Sequence, residues 1–339
     1  MNSASPKTEQ SPMPPQALLA QMTFGFIISQ AISVAAKLGI ADVISNDPQT
    51  VGDLATATAT DQSSLYRLLR TLMSVGIFQK DLDGRYSNTA MSEFLRADHP
   101  ESLRGIAHLL CDREHWHTHG NMMQSVKTGE NGFTYTFGQP FFEYASTRPE
   151  IGLIFDEGMT SFTRGIANAV TAAYDFSGAQ IVADIGGGHG ILLSKILEAN
   201  EHLSGILFDQ PQVVEGAKTS DRIKISGGDF FAEIPVAADV YLMKHIIHDW
   251  NDEQSKTILA NLAKAAATGV KLLLIESVVE EDDAMPSMSK VMDLNMLVCT
   301  GGKERTAEEY AALLEETGFK LTNVYPTASP VQIVEAVRV

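Results

Sequence analysis

Apolar positions recur at three- and four-residue steps from Leu18 to Leu38 (Phe24, Ile27, Ile28, Ala31, Val34, Ala35, Leu38), which predicts a helix. It carries few charges, so it is expected to be covered, with a second copy of the chain as the expected cover. From Thr50 to Asn88 the pattern changes. Val51, Leu54 and Ala55 begin a short helix, and Leu65, Leu68, Leu69 and Leu72 form a stripe on the next. Phe78 to Tyr86 then reads as two short strands around the tight-turn pair Asp83-Gly84. This is a winged-helix outline, which serves either DNA binding or packing and dimerisation. Residues 100 to about 175 look helical. From Ile181 short apolar runs alternate with helical stretches: strands at 181–185, 205–209, 223–226, 239–243 and 271–276, and a helix at 252–267. Alternation of this kind predicts an α/β domain, a parallel sheet with helices on both faces. A helix at 306–317 and a hairpin from Phe319 to Val339 are expected to add an antiparallel edge. The expected organisation is therefore a disordered, Ser/Pro/Gln-rich tail (1–15), a winged-helix-like domain (16–100), a helical linker and pocket segment (101–175) and the α/β domain (176–339).

Composition narrows the possibilities. A 339-residue chain with 44% apolar and 20% charged residues is an ordinary globular protein with room for two domains. Uninterrupted apolar runs stop far short of a membrane span, and no secretory signal opens the chain, so no membrane partner is expected. A net charge of −17 argues against a nucleic-acid surface, and Arg67 and Arg70 add little positive charge to the would-be recognition helix. Two cysteines, Cys111 and Cys299, make no disulfide framework and suggest a cytoplasmic location.

Candidate chemistry gathers where strands end. Ile181-Val-Ala-Asp-Ile-Gly-Gly-Gly-His-Gly190 reads as a strand, a glycine turn and a helix start. The dinucleotide fingerprint counted from Gly186 needs a third glycine where Ile191 stands. Asp184 before the turn would repel a pyrophosphate and suit an ammonium, which tilts the reading from a dinucleotide towards S-adenosylmethionine. Asp209, ending the second strand, can accept both ribose hydroxyls or serve as a helix cap before Pro211. Asp229 and Phe230, in Gly-Gly-Asp-Phe-Phe, could meet an adenine amino group and its ring. Lys244 and Glu276 end two further strands. His248 lies before the helix cap Asn251, placed either to take a proton from a hydroxyl or to act as a core or capping histidine, with Glu276 and Glu304 able to hold its ring. His108, His115 and His119 are expected to share one helical face. Zinc is conceivable there, but no carboxylate or thiolate is spaced to complete a site, so a pocket wall or plain core is expected and no metal is assigned.

Taken in order, Val-Ala-Asp-Ile-Gly-Gly-Gly-His-Gly, Phe-Asp-Gln-Pro, Gly-Gly-Asp-Phe-Phe, Lys-His-Ile-Ile-His-Asp-Trp-Asn-Asp-Glu and Gly-Gly-Lys-Glu-Arg-Thr resemble the S-adenosylmethionine-dependent O-methyltransferases of the caffeate, flavonoid and acetylserotonin type. The resemblance spans nearly the whole chain, and Asp293-Leu-Asn-Met-Leu-Val-Cys-Thr-Gly-Gly is similar to the acetylserotonin and bacterial secondary-metabolite members. It implies a Rossmann-like class I methyltransferase domain behind an N-terminal, mostly α, winged-helix dimerisation domain, hence a homodimer. It further implies that Gly186, Gly188 and their neighbours hold the methionine part of S-adenosylmethionine, Asp209 and Gln210 the ribose, and Gly228, Asp229 and Phe230 the adenine, with Lys244 nearby. By the same resemblance His248 is the general base, flanked by Glu276 and Glu304. Asp249, Trp116, Met159, Phe162, Asn295 and Met296 are expected to meet a small aromatic, phenolic acceptor, and no metal takes part. Some relatives of this fold decarboxylate or hydroxylate instead; the intact His-Asp-Trp and both glutamates favour methyl transfer. An NAD-dependent oxidoreductase and a ligand-sensing winged-helix regulator are the rival classes.

Overall fold

The computed structural model describes residues 13–217, 220–280, 282 and 284–339. The chain divides into two compact units, Met1–Ala97 and Asp98–Val339. Residues 1–12 of the expected disordered tail lie outside the described residues, and Pro15 already starts a helix, where its missing N–H costs nothing.

In the first unit, helices Pro15–Thr23 and Gly25–Lys37 follow one another across Phe24. Taken together, Pro15–Lys37 is long and apolar enough to cross a membrane by length and composition. Its uninterrupted apolar runs are short, because Gln21, Ser29, Gln30 and Ser33 break them, yet these residues leave the mean hydropathy of the whole stretch high. Leu19, Met22 and Phe24 are each more than 60% exposed (67%, 67% and 62%), so this apolar face is uncovered within the chain. The strands β1 (Gln49–Thr50), β2 (Phe78–Lys80) and β3 (Arg85–Asn88) form an antiparallel sheet in the order β1-β3-β2. A capping box between Thr50 and Asp53 starts the helix Val51–Ala57, and Asp61 caps the helix Gln62–Ser74, whose Leu65, Leu69 and Leu72 are buried.

In the second unit, six helices between Arg104 and Ala173 precede a seven-stranded sheet. His108 belongs to the helix Arg104–Leu109, whereas His115 and His119 belong to Arg113–Gly120, so the three do not share a helical face. The reason is Asp112, which takes extended backbone angles and caps a new helix by accepting from His115 N–H. The strands are β4 (Ile181–Ile185), β5 (Ser204–Asp209), β6 (Ile223–Gly227), β7 (Val240–Lys244), β8 (Lys271–Glu276), β9 (Phe319–Pro326) and β10 (Gln332–Arg338). Their order is β6-β5-β4-β7-β8-β10-β9, with β4 to β8 parallel and the final hairpin antiparallel. Both faces of the sheet are buried in apolar clusters, which explains the near-continuous apolar runs of its central strands. The chain steps outward from β4 to β6 and then returns to β7, so the carboxyl ends of β4 and β7 flank a switch point where such sheets leave a crevice.

The loop after β7 is clamped from below by Arg305, which is only 1% exposed. Its guanidinium donates to Ile247 O (3.0 Å), Trp250 O (3.0 Å), Ser255 Oγ (3.3 Å) and Asp252 Oδ1 (2.8 Å). Five donors in a fixed fork suit this job, and an ammonium could not span it. Replacing Arg305 by Met removes the guanidinium from both carbonyls, leaving them only the longer contacts from Trp250 N–H and Ser255 Oγ. The expected loss is about 3 kcal/mol of unfolding free energy in urea titration, and a loss under about 1 kcal/mol would refute the clamp.

Candidate active site

Two neighbouring cavities open at the switch point. The outer cleft, about 470 Å³, is lined by Gly186, Gly188, Asp209, Gln210, Gly228, Asp229, Phe230 and Lys244. Gly186 and Gly188 hold φ of +70° and +58°, angles an L side chain adopts only with strain. The turn is pinned to the next strand: Gly186 N–H donates to Phe208 O (2.8 Å), Gly188 N–H to Asp209 Oδ2 (2.8 Å), and Gln210 N–H to Asp209 Oδ1 (2.7 Å). Asp184 does not line the cleft. It is 2% exposed, and a Cβ on Gly187 would sit 2.7 Å from its Cγ, so its carboxylate lies beneath the turn. Burial pushes its carboxyl up to about 7, against the pull of Lys244. Lys244 in turn is brought down to about 8 by burial, against the carboxylates of Asp184, Glu276 and Asp249.

Three cleft residues escaped the sequence reading. Thr160 Oγ1 lies 2.9 Å from His189 Nδ1, and Asp156, one turn before Thr160 on the long helix Pro149–Ala173, is raised to about 6 by burial and the charge of Asp209, against His189. All three line the cleft. For Asp156 and Thr160 the only signal was their position on a helix that also carries Met159, whereas His189 stands within the glycine motif itself.

The inner cavity, about 60 Å³, is lined by His248 and Asp249 together with Met159, Phe162, Asn295 and Met296. Trp116 lines neither cavity and is 38% exposed. Adjacent helical residues point about 100° apart, so turning His115 inward carries Trp116 out, which corrects its expected placement.

His248 sits in a single 3-10 turn, Ile247–Asp249, after β7. Its Nδ1 is 2.8 Å from Glu304 Oε1 and 3.5 Å from Glu276 Oε2, while Nε2 is 3.8 Å from Asp249 Oδ1. His248, Glu276 and Glu304 are 4%, 0% and 3% exposed, so no water screens the cluster. Glu276 Oε1 also accepts from Ile246 N–H (3.1 Å) and Ile247 N–H (3.0 Å), and Glu304 N–H donates to Asp293 Oδ1 (3.0 Å). Burial alone would lower the imidazole pKa, but Glu276, Glu304 and Asp249 overcome it and lift it to about 10. Burial raises the Glu276 carboxyl, the nearby Glu304 charge adds to that, and His248 opposes it. The same three side chains bring one ligand atom each within 4.8 Å of one another, close enough to hold a metal ion.

Beside them stands His245, which the sequence reading passed over. It is one of two non-glycine residues with positive φ (+54°) among the described residues, its ring stacks on His248 at 5.0 Å and 13°, and it lines both cavities. Burial, Lys244 and His248 all hold its pKa well below the ordinary value, so it stays neutral beside a cationic partner. Strain of this kind persists only where the surroundings over-determine it.

Comparison with known proteins agrees with this geometry. A family model described as an O-methyltransferase domain matches residues 119–320, and one described as an O-methyltransferase dimerisation domain matches residues 20–98. The chain is 40% identical over 331 residues to a phenazine O-methyltransferase, PhzM, of Lysobacter antibioticus, covering 96% of each chain. It is 38% identical to the mitomycin biosynthesis 6-O-methyltransferase of Streptomyces lavendulae, covering 91% of this chain and 90% of the relative. The solved structure of human N-acetylserotonin methyltransferase in complex with S-adenosylmethionine superposes with a TM-score of 0.91 at 26% identity, covering 98% of this chain and 99% of that one. The protein described here belongs to the S-adenosylmethionine-dependent O-methyltransferase family.

Proposed function

We propose that this enzyme methylates a hydroxyl of a small aromatic acceptor held in the inner cavity, with His248 as general base. The observation that carries the reading is the orientation of His248. Nδ1 is committed to Glu304, so Nε2 is the nitrogen left for the cavity, beside walls of Phe162, Met159 and Met296. Aromatic substrates fit such apolar walls, and one similar relative is named for a phenazine.

The cleft residues fit S-adenosylmethionine. Asp209 and Asp229 offer acceptors for ribose hydroxyls and an adenine amino group, with Gln210 and Gly228 beside them. Phe230 offers a ring face, and the backbone at Gly188 is open, since a Cβ there would meet nothing within 4 Å. When bound, S-adenosylmethionine supplies an electrophilic methyl group on a sulfonium. The chain's own work is to align the acceptor oxygen with the cleft and to receive its proton at His248 Nε2. Its raised pKa keeps the imidazole protonated near neutrality, so the competent form has lost that proton and keeps Nδ1–H pointed at Glu304. Asp249 and Asn295 offer polar contacts at the cavity wall. The carboxylates around Nδ1 are read as acceptors for this proton and not as metal ligands: Glu304 Oε1 faces Nδ1 and Glu276 Oε1 accepts two backbone N–H groups, while Glu276 Oε2 and Glu304 Oε2 carry no hydrogen bond.

The exposed apolar face of Pro15–Lys37 is proposed to be covered by a second subunit, since most of it falls within the dimerisation-domain match. That cover suits it better than a membrane, and a cytoplasmic homodimer without DNA binding is the resulting picture. The winged-helix outline is then a packing device.

His248→Ala or His248→Asn is expected to lower turnover about 100-fold or more while leaving S-adenosylhomocysteine affinity nearly intact; unchanged turnover would remove His248 from its role. The pH profile carries a second check. Because the carboxylates raise the His248 pKa, the rate should climb on the alkaline side of neutrality. Glu304→Gln removes a negative charge from Nδ1 and should move that rising limb about one unit or more towards acid. A limb that stays put would mean another group is titrating. Thirdly, exhaustive dialysis against EDTA should leave turnover unchanged, whereas loss restored by a divalent cation would assign the His248 cluster to a metal.

A further inference from the structure

Resting on the aromatic-acceptor reading, we infer that the inner cavity contains a second polar station, built on His115 and Asp112, that recognises a second hydroxyl on the ring of the acceptor. Asp112 Oδ1 accepts from His115 N–H at 2.7 Å and lies 3.1 Å from His115 Nδ1. The backbone bond fixes the carboxylate, so Nδ1 carries the proton and the ring cannot turn away. His115 is 8% exposed and lines the same cavity as His248. Its Nε2 makes no hydrogen bond among the described residues, which leaves an unengaged ring nitrogen on a residue that lines the cavity.

A second element converges on the same wall. His119 Nδ1 donates to His115 O (2.8 Å), and its Nε2 is 3.0 Å from Asn295 Oδ1, so the NH2 end of that amide is the end not taken. This tie holds Asn295, on the helix Met288–Cys299, against the helix of His115 and leaves one end of its amide for the cavity. The station therefore presents an imidazole lone pair beside an amide.

A hydroxyl both donates and accepts, so it satisfies both groups at once. A carboxylate does not fit. Asp112 Oδ2 is already buried without a partner, and Asp249 lines the same cavity with Glu276 and Glu304 behind it. A further buried negative charge there would lack a cation of its own. His115 differs from His248 in its neighbours: the His248 ring is stacked on His245, which lines the outer cleft too, whereas the His115 ring is set between His119 and Phe141. One imidazole is placed to take a proton, the other to hold the far end of the ring system.

The test is calorimetric binding to the full-length protein saturated with S-adenosylhomocysteine. The probes are a naphthalenediol with hydroxyls on opposite rings and the corresponding naphthol. The wild-type protein should bind the diol about 10-fold more tightly, the size of one buried hydrogen bond. His115→Leu should abolish that preference with the naphthol affinity kept within about 2-fold, and His115→Gln should restore part of it. Unchanged S-adenosylhomocysteine affinity certifies that the variants are folded. A diol preference that survives in His115→Leu, or its absence from the wild-type protein, overturns the station. Parallel turnover assays separate the two readings: a preference that follows His115 while neither compound is methylated counts against the acceptor chemistry and not against the station.

Discussion

The proton between His248 Nδ1 and Glu304 organises the catalytic end of this molecule. It points one imidazole nitrogen at two buried carboxylates and the other at the inner cavity. Burying such a cluster costs least where its charges are met: backbone N–H groups of Ile246 and Ile247 meet Glu276 Oε1 and His248 meets Glu304 Oε1, while Glu276 Oε2 and Glu304 Oε2 are left without a hydrogen bond. Arg305 then holds the carbonyls of the same loop from below, so the backbone that carries His248 is fixed on both sides. The consequence is an imidazole whose affinity for protons is set by its neighbouring carboxylates more than by solvent.

The sheet order explains why this cluster meets a cofactor cleft at all. Strands are added outward on one side of β4 and then, from β7, on the other, which leaves a crevice at the carboxyl ends of these two parallel strands, and both the glycine turn and the His248 loop leave from there. His245 marks the seam. Its positive φ is the local cost of turning the chain so that consecutive residues serve two spaces, Lys244 the outer cleft and His248 the inner cavity.

Much of this was legible in the residues. Short continuous apolar runs located the strands of the α/β part, and helical patterning its helices at 252–267 and 306–317, to within a residue or two, because the central strands are buried on both faces and tolerate little but apolar side chains; the helix Met288–Cys299 was not read. Ordered motifs singled out Asp209, Lys244, His248, Glu276 and Glu304, which the structure brings to the switch point. Asp184 and Trp116 were misplaced for one reason. Their spacing was right, but which way a side chain faces depends on what packs against it: Asp184 went under the turn and Trp116 to the outside.

The sequence by itself determined what depends on near neighbours along the chain: the period of each element, its caps, the glycines of the turn, and the run of charges at strand ends. Only the tertiary structure decided what depends on residues far apart. The distance from His248 to Glu304 spans 56 positions, and the tie from His119 to Asn295 spans 176. Asp112 divided a would-be histidine face between two helices, and burial then set the charge states that no list of residues displays. Local propensity acts over a turn or two of chain, whereas desolvation and Coulomb energies act through space between whichever groups the fold brings together.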